Sequence, residues 1–386
     1  MAYLSAFLFI IYAAAVLSLL YWIRKTSRLL RTSGVAPRLH AEGHDWPTID
    51  LVVPVKDEVA HIGRCLRSLL AQDYPRLRIT VVNDRSTDGT PEAVAAIQAE
   101  HPALQRIDIT DLPQGFYGKP HALHVASPRL TAELLVFVDS DFELTAGCLR
   151  SLVNHLRTDK LDWLAVMGKP QLRTFWERLL VPLLGAITYA WYDPRKIADP
   201  DWDDAVGSGF LLVRREAYLA VGGHGAVVTD YDEDSAIMRL AKRAGHRVAY
   251  LLAPELFTLS MYGDLGRTAH GIKRTLIGGM KTLPRFLLTI NALNFVSLMP
   301  IGLPAALGLL LLLKVPVLWA SLWLVAILVH LVLSTVLAWL VYRAADNNGR
   351  LALLHPLGAA VLIAICLRAA RAMRAGRPIT WRGTSY

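Results

Sequence analysis

The sequence predicts an α/β domain built on a mostly parallel sheet, with membrane helices before and after it. Three observations predict this class. Residues 48 to about 255 alternate short β-branched runs with stretches whose apolar residues recur at helical spacing, the pattern of parallel strands joined by helices. The chain is 54% hydrophobic, with a mean hydropathy of +0.36, above the usual share for a soluble domain. That excess is concentrated in long uncharged runs near the two ends.

The first element is residues 3 to 23, YLSAFLFIIYAAAVLSLLYWI, about 20 apolar residues and long enough to span a bilayer. A secretory signal fits poorly, because no basic residue precedes the run, whereas Arg24, Lys25, Arg28 and Arg31 follow it. The positive-inside rule therefore predicts an outward N-terminus and a cytoplasmic face from residue 24 onward. TIDLVVPV then reads as a strand, and HIGRCLRSLLAQ as a helix with Ile62, Leu66, Leu69 and Leu70 on one face. LRITVVND is a second strand. TPEAVAAIQAEH is a second helix, opened by the N-cap pattern Thr90-Pro91. LLVFV, Leu134 to Val138, is a buried strand that stops at Asp139, and EDSAIMRLAKRAG is an amphipathic helix beginning at Glu233-Asp234.

Residues 174 to 192, TFWERLLVPLLGAITYAWY, form an apolar, aromatic stretch that suits either a core helix or membrane contact through Trp176, Tyr189, Trp191 and Tyr192. Residues 293 to 313 and 316 to 342, separated by Lys314 and Val315, predict a membrane hairpin. A shorter run, 351 to 367, carries His355-Pro356. If all three crossed, the tail with Arg368, Arg371, Arg374, Arg377 and Arg382 would end outside, so the charge favours a re-entrant or interfacial last segment. The predicted organisation is an anchor at 1–25, a cytoplasmic catalytic domain at 45–285, membrane or interfacial helices at 286–370 and a basic cytoplasmic tail at 371–386. The protein is expected to be multi-pass in the cell membrane.

The net charge of +9 clusters beside the apolar segments, where it meets anionic headgroups, and does not predict nucleic-acid binding. Cys65, Cys148 and Cys366 are scattered, so no disulfide frame is predicted. The 12 histidines show no paired spacing for zinc.

Three strand ends finish in polar residues: Pro54-Val55-Lys56-Asp57-Glu58, Asn83-Asp84-Arg85-Ser86-Thr87-Asp88-Gly89 and Asp139-Ser140-Asp141. Ligands of parallel sheets bind at carboxyl ends of strands, so three such ends on one rim predict a site. Ser86 to Gly89 also suit a turn that caps the next helix. Asp139 and Asp141, two residues apart in extended chain, aim the same way and repel unless a cation or proton lies between them.

These segments resemble the family 2 glycosyltransferases of the GT-A fold. VVPVKDEVAHIGRCLRSLLAQDYP is similar to the family's opening strand and helix, VVNDRSTDGT to its nucleotide-binding turn and FVDSD to its DxD metal motif. VTDYDEDSAIMRLAKRAGHRV is similar to the segment that supplies the catalytic base. GFYGKPHAL, TFWERLLVPLL, GSGFLLVRREAYLAVGGH and ITWRGTSY resemble a membrane-bound subgroup, the hopene-associated and diaponeurosporenoate glycosyltransferases.

The resemblance implies a nucleotide-sugar donor, with a UDP-sugar expected, a lipid hydroxyl acceptor and Mg²⁺ or Mn²⁺. Asp141 would bind the ion, and Asp139 the ion or the ribose. Asp84 would accept a hydrogen bond from the nucleobase. Pro54 and Glu58 would line the nucleotide, with a helix cap the alternative for Glu58. Lys119, in a Gly-rich loop, would neutralise phosphate, or else be a solvated surface lysine. Gly207 and Gly209 would admit the donor sugar. Asp234, beside Glu233, would be the base, with Asp230 and Asp232 as neighbouring alternatives.

The family's processive members carry Gln-x-x-Arg-Trp after the base. Here HGIKRTLIGG has Gly271, Arg274 and Thr275 at those places, which disfavours polymer synthesis and leaves Arg274, or Lys273, to clamp the diphosphate or contact lipid. A polyprenyl-phosphate sugar transferase and a catalytically idle membrane scaffold are the competing expectations.

Overall fold

The strand-forming runs pair into one seven-stranded sheet. A computed structural model of the chain describes residues 2–32, 45–302, 308, 316–375, 380–381 and 384–385. Its strands are β1 (Ile49–Val55), β2 (Leu77–Asp84), β3 (Gln105–Ile109), β4 (Leu134–Val138), β5 (Phe142–Leu144), β6 (Trp163–Met167), β7 (Lys169–Gln171), β8 (Phe210–Arg214), β9 (Val248–Leu252) and β10 (Phe257–Ser260). The main sheet runs β3-β2-β1-β4-β8-β6-β9. All its pairings are parallel except those of β8, which is antiparallel to both β4 and β6. β5, β10 and β7 form a smaller sheet.

β1 and β4 are buried along their whole length, as expected of central strands covered on both faces. Successive residues of β1 supply two different cores. Leu51 and Val53 pack with Ile62, Leu66 and Leu69 of the first soluble helix and with Leu149 and Leu152. Val52 instead packs with Leu123, Trp163, Tyr218, Ile237 and Met238. This is the two-residue period of extended chain serving two layers of helix. β1 and β2 are further tied by Asp50, which accepts hydrogen bonds from the Arg78 guanidinium at 2.6 and 2.8 Å and from the backbone N–H groups of Thr131 and Ala132 at 2.7 and 2.9 Å. Phe257 stacks between Phe142 and Phe210, at centroid distances of 5.0 and 5.2 Å, and so links the small sheet to the large one.

Contacts divide the chain into two units. The α/β unit comprises residues 33–171, 191–260 and 378–386, and the helical unit residues 1–32, 172–190 and 261–377, with description limited in both to the residues given above. Residues 172–190 and 261–285, placed by sequence in the catalytic segment, thus group with the membrane helices.

The apolar stretch at 174–192 is a core helix, Phe175–Trp191, in which Leu179, Leu180, Leu183 and Leu184 are buried. Proline 182 sits inside it and has no N–H for the carbonyl of Arg178, four residues back. Within the same unit the side-chain amide of Asn347 donates to that carbonyl at 2.7 Å. The Tyr342 hydroxyl donates to the Leu179 carbonyl at 2.8 Å. Tyr192 is not an interfacial ring: it is 5% exposed and belongs to the core of the α/β unit, against which Trp191 also packs.

Four helices are long and apolar enough to cross a membrane: Ala6–Arg28, Leu283–Gly302, Val317–Ala344 and Gly349–Arg374. The run expected at 293–313 begins ten residues earlier, at 283, and residues 303–307 and 309–315, including Lys314 and Val315, lie outside the described residues. Arg377 and Arg382 of the expected tail lie outside them too. Ile10, Leu328 and Val332 are exposed at 65, 53 and 60%, so these helices turn apolar side chains outward as well as inward. Two pairs of polar groups meet among them. Tyr12 and His330 share a hydrogen bond of 2.8 Å, and Ser297, in the π-helical turn Asn294–Leu298, shares one of 2.9 Å with His355.

Asn347→Ala should leave the Arg178 carbonyl without its donor and cost about 1–3 kcal/mol of stability. In a Pro182→Ala background the helix can supply its own N–H, so the same change should cost less. Thermal unfolding of the purified full chain, the two single variants and the double variant measures both; equal losses in the two backgrounds would rule the compensation out.

Candidate active site

The carboxyl ends of β1 and β2 are stitched into one surface. Lys56 is buried, and its ammonium donates to the carbonyl of Arg85 at 3.0 Å. Asp57 accepts from the N–H of Thr87 at 2.7 Å, while its own N–H donates to the Ser86 hydroxyl at 3.0 Å. The Glu58 N–H donates to the Thr90 hydroxyl at 2.8 Å. Asp88 accepts from the N–H groups of Thr90 and Val59, closing the turn ahead of the helix, whose N-cap is Gly89. Pro54 is buried within β1. Asp84 is 2% exposed, and the Arg85 guanidinium grips both its oxygens at 2.7 and 3.0 Å.

A second group gathers at the end of β4. Lys119 lies in the first turn of a helix, Gly118–Ala126, rather than in the expected Gly-rich loop, since Pro120 suits a helical first turn. Its ammonium is 2.7 Å from Asp139, 2.7 Å from Glu233 and 3.0 Å from Asp234. Glu233 and Asp234 open the helix Glu233–Arg243, where its N-terminal dipole favours negative charge.

The two glycines before β8 make this proximity possible. A Cβ on Gly209 would stand 2.1 Å from a carboxylate oxygen of Asp139, and one on Gly207 2.2 Å from the backbone oxygen of Asp234. The Gly207 N–H donates to the Ser235 hydroxyl, and that hydroxyl donates to Asp232, which precedes the helix. Asp232 is thus committed to the helix start and Asp230 is exposed, leaving Asp234 as the acid of this segment that meets Lys119 together with Glu233.

Charge and burial set the protonation of the group. Burial opposes the charged form of Lys119, but Asp139, Asp234 and Glu233 outweigh it and hold the ammonium well above its ordinary range. Burial and the adjoining Glu233 push Asp234 well above the carboxylate range, against the pull of Lys119. Asp141 is pushed up to about 8 by burial, with Asp139 and Glu58 adding like charge.

Two carboxylates in one field, one of them pushed toward its protonated form by burial and by its neighbour's charge, fit a hard divalent cation. Asp141 and Asp139 would hold it. Among the described residues no group of three or more His, Cys, Asp and Glu is placed to hold a metal, so such an ion would draw its remaining oxygens from a ligand or water.

Of the expected residues, the structure brings Lys119, Asp139, Gly207, Gly209, Glu233 and Asp234 together, with Asp141 in the same field. It places Glu58 and Asp84 on the adjoining strand ends. Arg274 lies on the helix Leu265–Met280 in the helical unit, as does Gly271, over which the Tyr262 ring is packed.

Sequence reasoning passed over Arg85, though it adjoins Asp84 in the motif itself. It also passed over His224, which is fully buried, shares a 2.9 Å hydrogen bond with Tyr218 and packs edge-on against Phe137 at 4.6 Å. Burial, with Lys119 adding to it, lowers His224 to about 3, so it is neutral. No local pattern around a single histidine marks such a place.

Residues 50–221 match the family model described as glycosyl transferase family 2. This segment is a family 2 glycosyltransferase domain. The match takes in every strand-end residue named above and both glycines, and stops short of Glu233, Asp234 and Arg274.

Among relatives, an N-acetylglucosaminyltransferase of Rhizobium sp. is 32% identical over 126 residues, 32% of this chain and 27% of that protein. A beta-monoglucosyldiacylglycerol synthase of Synechocystis sp. is 26% identical over 182 residues, 46% of this chain and 37% of the synthase. A 4,4'-diaponeurosporenoate glycosyltransferase of Staphylococcus aureus is 25% identical over 185 residues, 46% of each. The chain spans less than half the length of these relatives. A mannosyltransferase from Pyrobaculum calidifontis, solved in complex with GDP-Man and Mn²⁺, is 21% identical, with a TM-score of 0.52 over 95% of this chain and 97% of that one. That likeness is one of fold, GT-A.

The domain should carry a pH signature at Asp141. Its carboxyl stays protonated in the fold to about pH 8, against an ordinary value of 3.8, so the folded state binds the extra proton between those limits. Stability from this group is therefore full below about pH 4 and falls as pH rises to about 8. In EDTA, Asp141→Asn should raise the unfolding temperature by roughly 2 °C or more at pH 8 and hardly at all at pH 4. A gain independent of pH would exclude this origin.

Proposed function

We propose that the chain is a membrane-anchored, inverting glycosyltransferase that moves one sugar from a nucleotide-diphosphate sugar, a UDP-sugar, to the hydroxyl of a lipid. The observation that carries this reading is the convergence of Asp139, Lys119, Glu233 and Asp234 at the carboxyl end of β4, within 3.0 Å of one ammonium. The idle-scaffold reading has no use for such a buried cluster of charge.

In this proposal Asp84 accepts an N–H of the nucleobase, and Pro54 and Glu58 line the nucleotide. Gly207 and Gly209, which admit Asp234 and Asp139 to close approach, border the donor sugar. Bound by Asp141 and Asp139, Mg²⁺ or Mn²⁺ supplies a Lewis acid for the diphosphate oxygens. Asp234 takes the proton of the acceptor hydroxyl as its oxygen bonds to the anomeric carbon. The bond to the diphosphate breaks, and the diphosphate leaves with the electron pair. One displacement from the opposite face inverts the anomeric centre. Gly271 and Thr275, in place of the Gln and Trp of polymer-forming members, support transfer of a single sugar.

A lipid acceptor is supported by the four long apolar helices and by the names of two relatives, a glucosyldiacylglycerol synthase and a diaponeurosporenoate glycosyltransferase. Arg24, Lys25, Arg28 and Arg31, at the C-terminal end of the first helix, support a cytoplasmic catalytic unit, where nucleotide sugars are made. The arginine-rich tail is cytoplasmic as well in this reading, with the last apolar segment re-entrant or interfacial. A polyprenyl phosphate brings an anionic oxygen that needs no base, so the raised proton affinity of Asp234 favours a hydroxyl.

Full-length protein incubated with UDP-glucose, Mn²⁺ and a bacterial lipid extract should yield a neutral glycolipid by mass spectrometry, and EDTA should abolish it. Asp234→Asn should bind the nucleotide sugar yet transfer about 10²–10⁴-fold more slowly. A glycosyl phosphate product, or transfer undiminished in Asp234→Asn, would sink the hydroxyl reading. A cysteine introduced near residue 45 should be shielded from an impermeant thiol reagent in intact cells; labelling from outside would reverse the orientation.

A further inference from the structure

Lys119 is engaged more heavily than a phosphate-binding lysine requires. Its ammonium has three donors, and three carboxylates surround it at 2.7, 2.7 and 3.0 Å. One of the three is the candidate base Asp234 and another the candidate metal ligand Asp139. While Asp234 accepts a charge-assisted hydrogen bond from an ammonium, that oxygen is turned to Lys119 and its lone pair is occupied, so it is not placed to meet an incoming hydroxyl.

The clamp is nevertheless movable. Lys119 carries a long, flexible stem on the first turn of its helix, and its side chain is 20% exposed. Gly209 lies close against the Asp139 carboxylate and Gly207 against the Asp234 backbone, approaches that the missing side chains allow and the ammonium does not make.

We propose that Lys119 is a donor-responsive positioning residue: its ammonium holds Asp234 idle against Glu233 and Asp139, and the diphosphate of an arriving nucleotide sugar draws it off and frees Asp234 for the acceptor proton. This rests on the reading of the site as one for a nucleotide-diphosphate sugar. Diphosphate and Asp234 then compete for one cation, which couples donor binding to arming of the base. After transfer, Asp234 holds the acceptor's proton, the nucleoside diphosphate leaves, and the proton passes to solvent as Lys119 returns.

The competition has consequences that catalysis alone would not reveal. Binding to the full-length protein in detergent is measured by calorimetry, with Mn²⁺ alone and with UDP-glucose in saturating Mn²⁺. Lys119→Met removes the cation that neutralises Asp139, so Mn²⁺ alone should bind at least tenfold more tightly than to the wild type. UDP-glucose should bind about tenfold more weakly. Asp234→Asn removes the diphosphate's competitor, so it should bind UDP-glucose severalfold more tightly, and most of that gain should vanish in the Lys119→Met background. If Lys119→Met fails to fold, Asp234→Asn alone decides, and an unchanged or weakened UDP-glucose affinity overturns the proposal. So does an unchanged Mn²⁺ affinity in a folded Lys119→Met protein. If the wild type binds no nucleotide sugar at all, the functional reading falls, while the Mn²⁺ arm still reports whether Lys119 clamps the carboxylates.

Discussion

One ammonium facing three carboxylates is the constraint around which the α/β unit is organised. Asp139 comes from the end of β4, and Glu233 and Asp234 open a helix almost a hundred residues later. Acids from such distant parts of the chain repel one another unless a cation is fixed between them. Lys119, rooted in a helix that packs under the same sheet, is that cation. Gly207 and Gly209 let the backbones close to distances that any side chain would forbid, and the helix dipole at Glu233 favours the charge that remains.

Much of this fold was legible in the sequence. β1, β2 and β4 are short runs rich in β-branched and apolar residues that lead into acids, and the helices at 62–70, 90–100 and 233–243 announce themselves by apolar period or by capping residues. β3 did not, because Arg106 and Asp108 alternate with Ile107 and Ile109 on a short strand at the sheet's edge. The interleaving of the two units was equally hidden. Nothing within residues 172–190 or 261–280 says that they pack with helices far away in the chain, and Tyr192 reads as an interfacial aromatic until the core that buries it is known.

The candidate site was legible in its residues and not in their partnerships. Strand-end position singled out Asp84, Asp139 and Asp141, and the resemblance to the family singled out Gly207, Gly209 and Asp234. Lys119 was found for its charge but assigned to a loop, and its three carboxylate partners could not be read from any local pattern. Arg85 was overlooked although it adjoins Asp84, because a strand-end arginine ordinarily reaches solvent. His224 carries no sequence signal. It is visible only once Phe137 and Tyr218 close around it.

The reversed direction of β8 has a consequence for how the chain can vary. Phe210 stands opposite Val138, and the Asp139 N–H donates to the Gly209 carbonyl at 2.9 Å, so the strand is keyed to β4 residue by residue. A slip of one position would swap the faces of every β8 side chain and bring Ser208 or Phe210 to the place that only glycine fits. Ser208 has its own fixed post, donating to the Val166 carbonyl at 2.8 Å. An insertion within 207–214 is therefore fatal to the rim, whereas one in the segment from 199 to 204 can bulge outward without shifting the register. β8 acts as a ruler, and length changes are free to accumulate only before its zero mark.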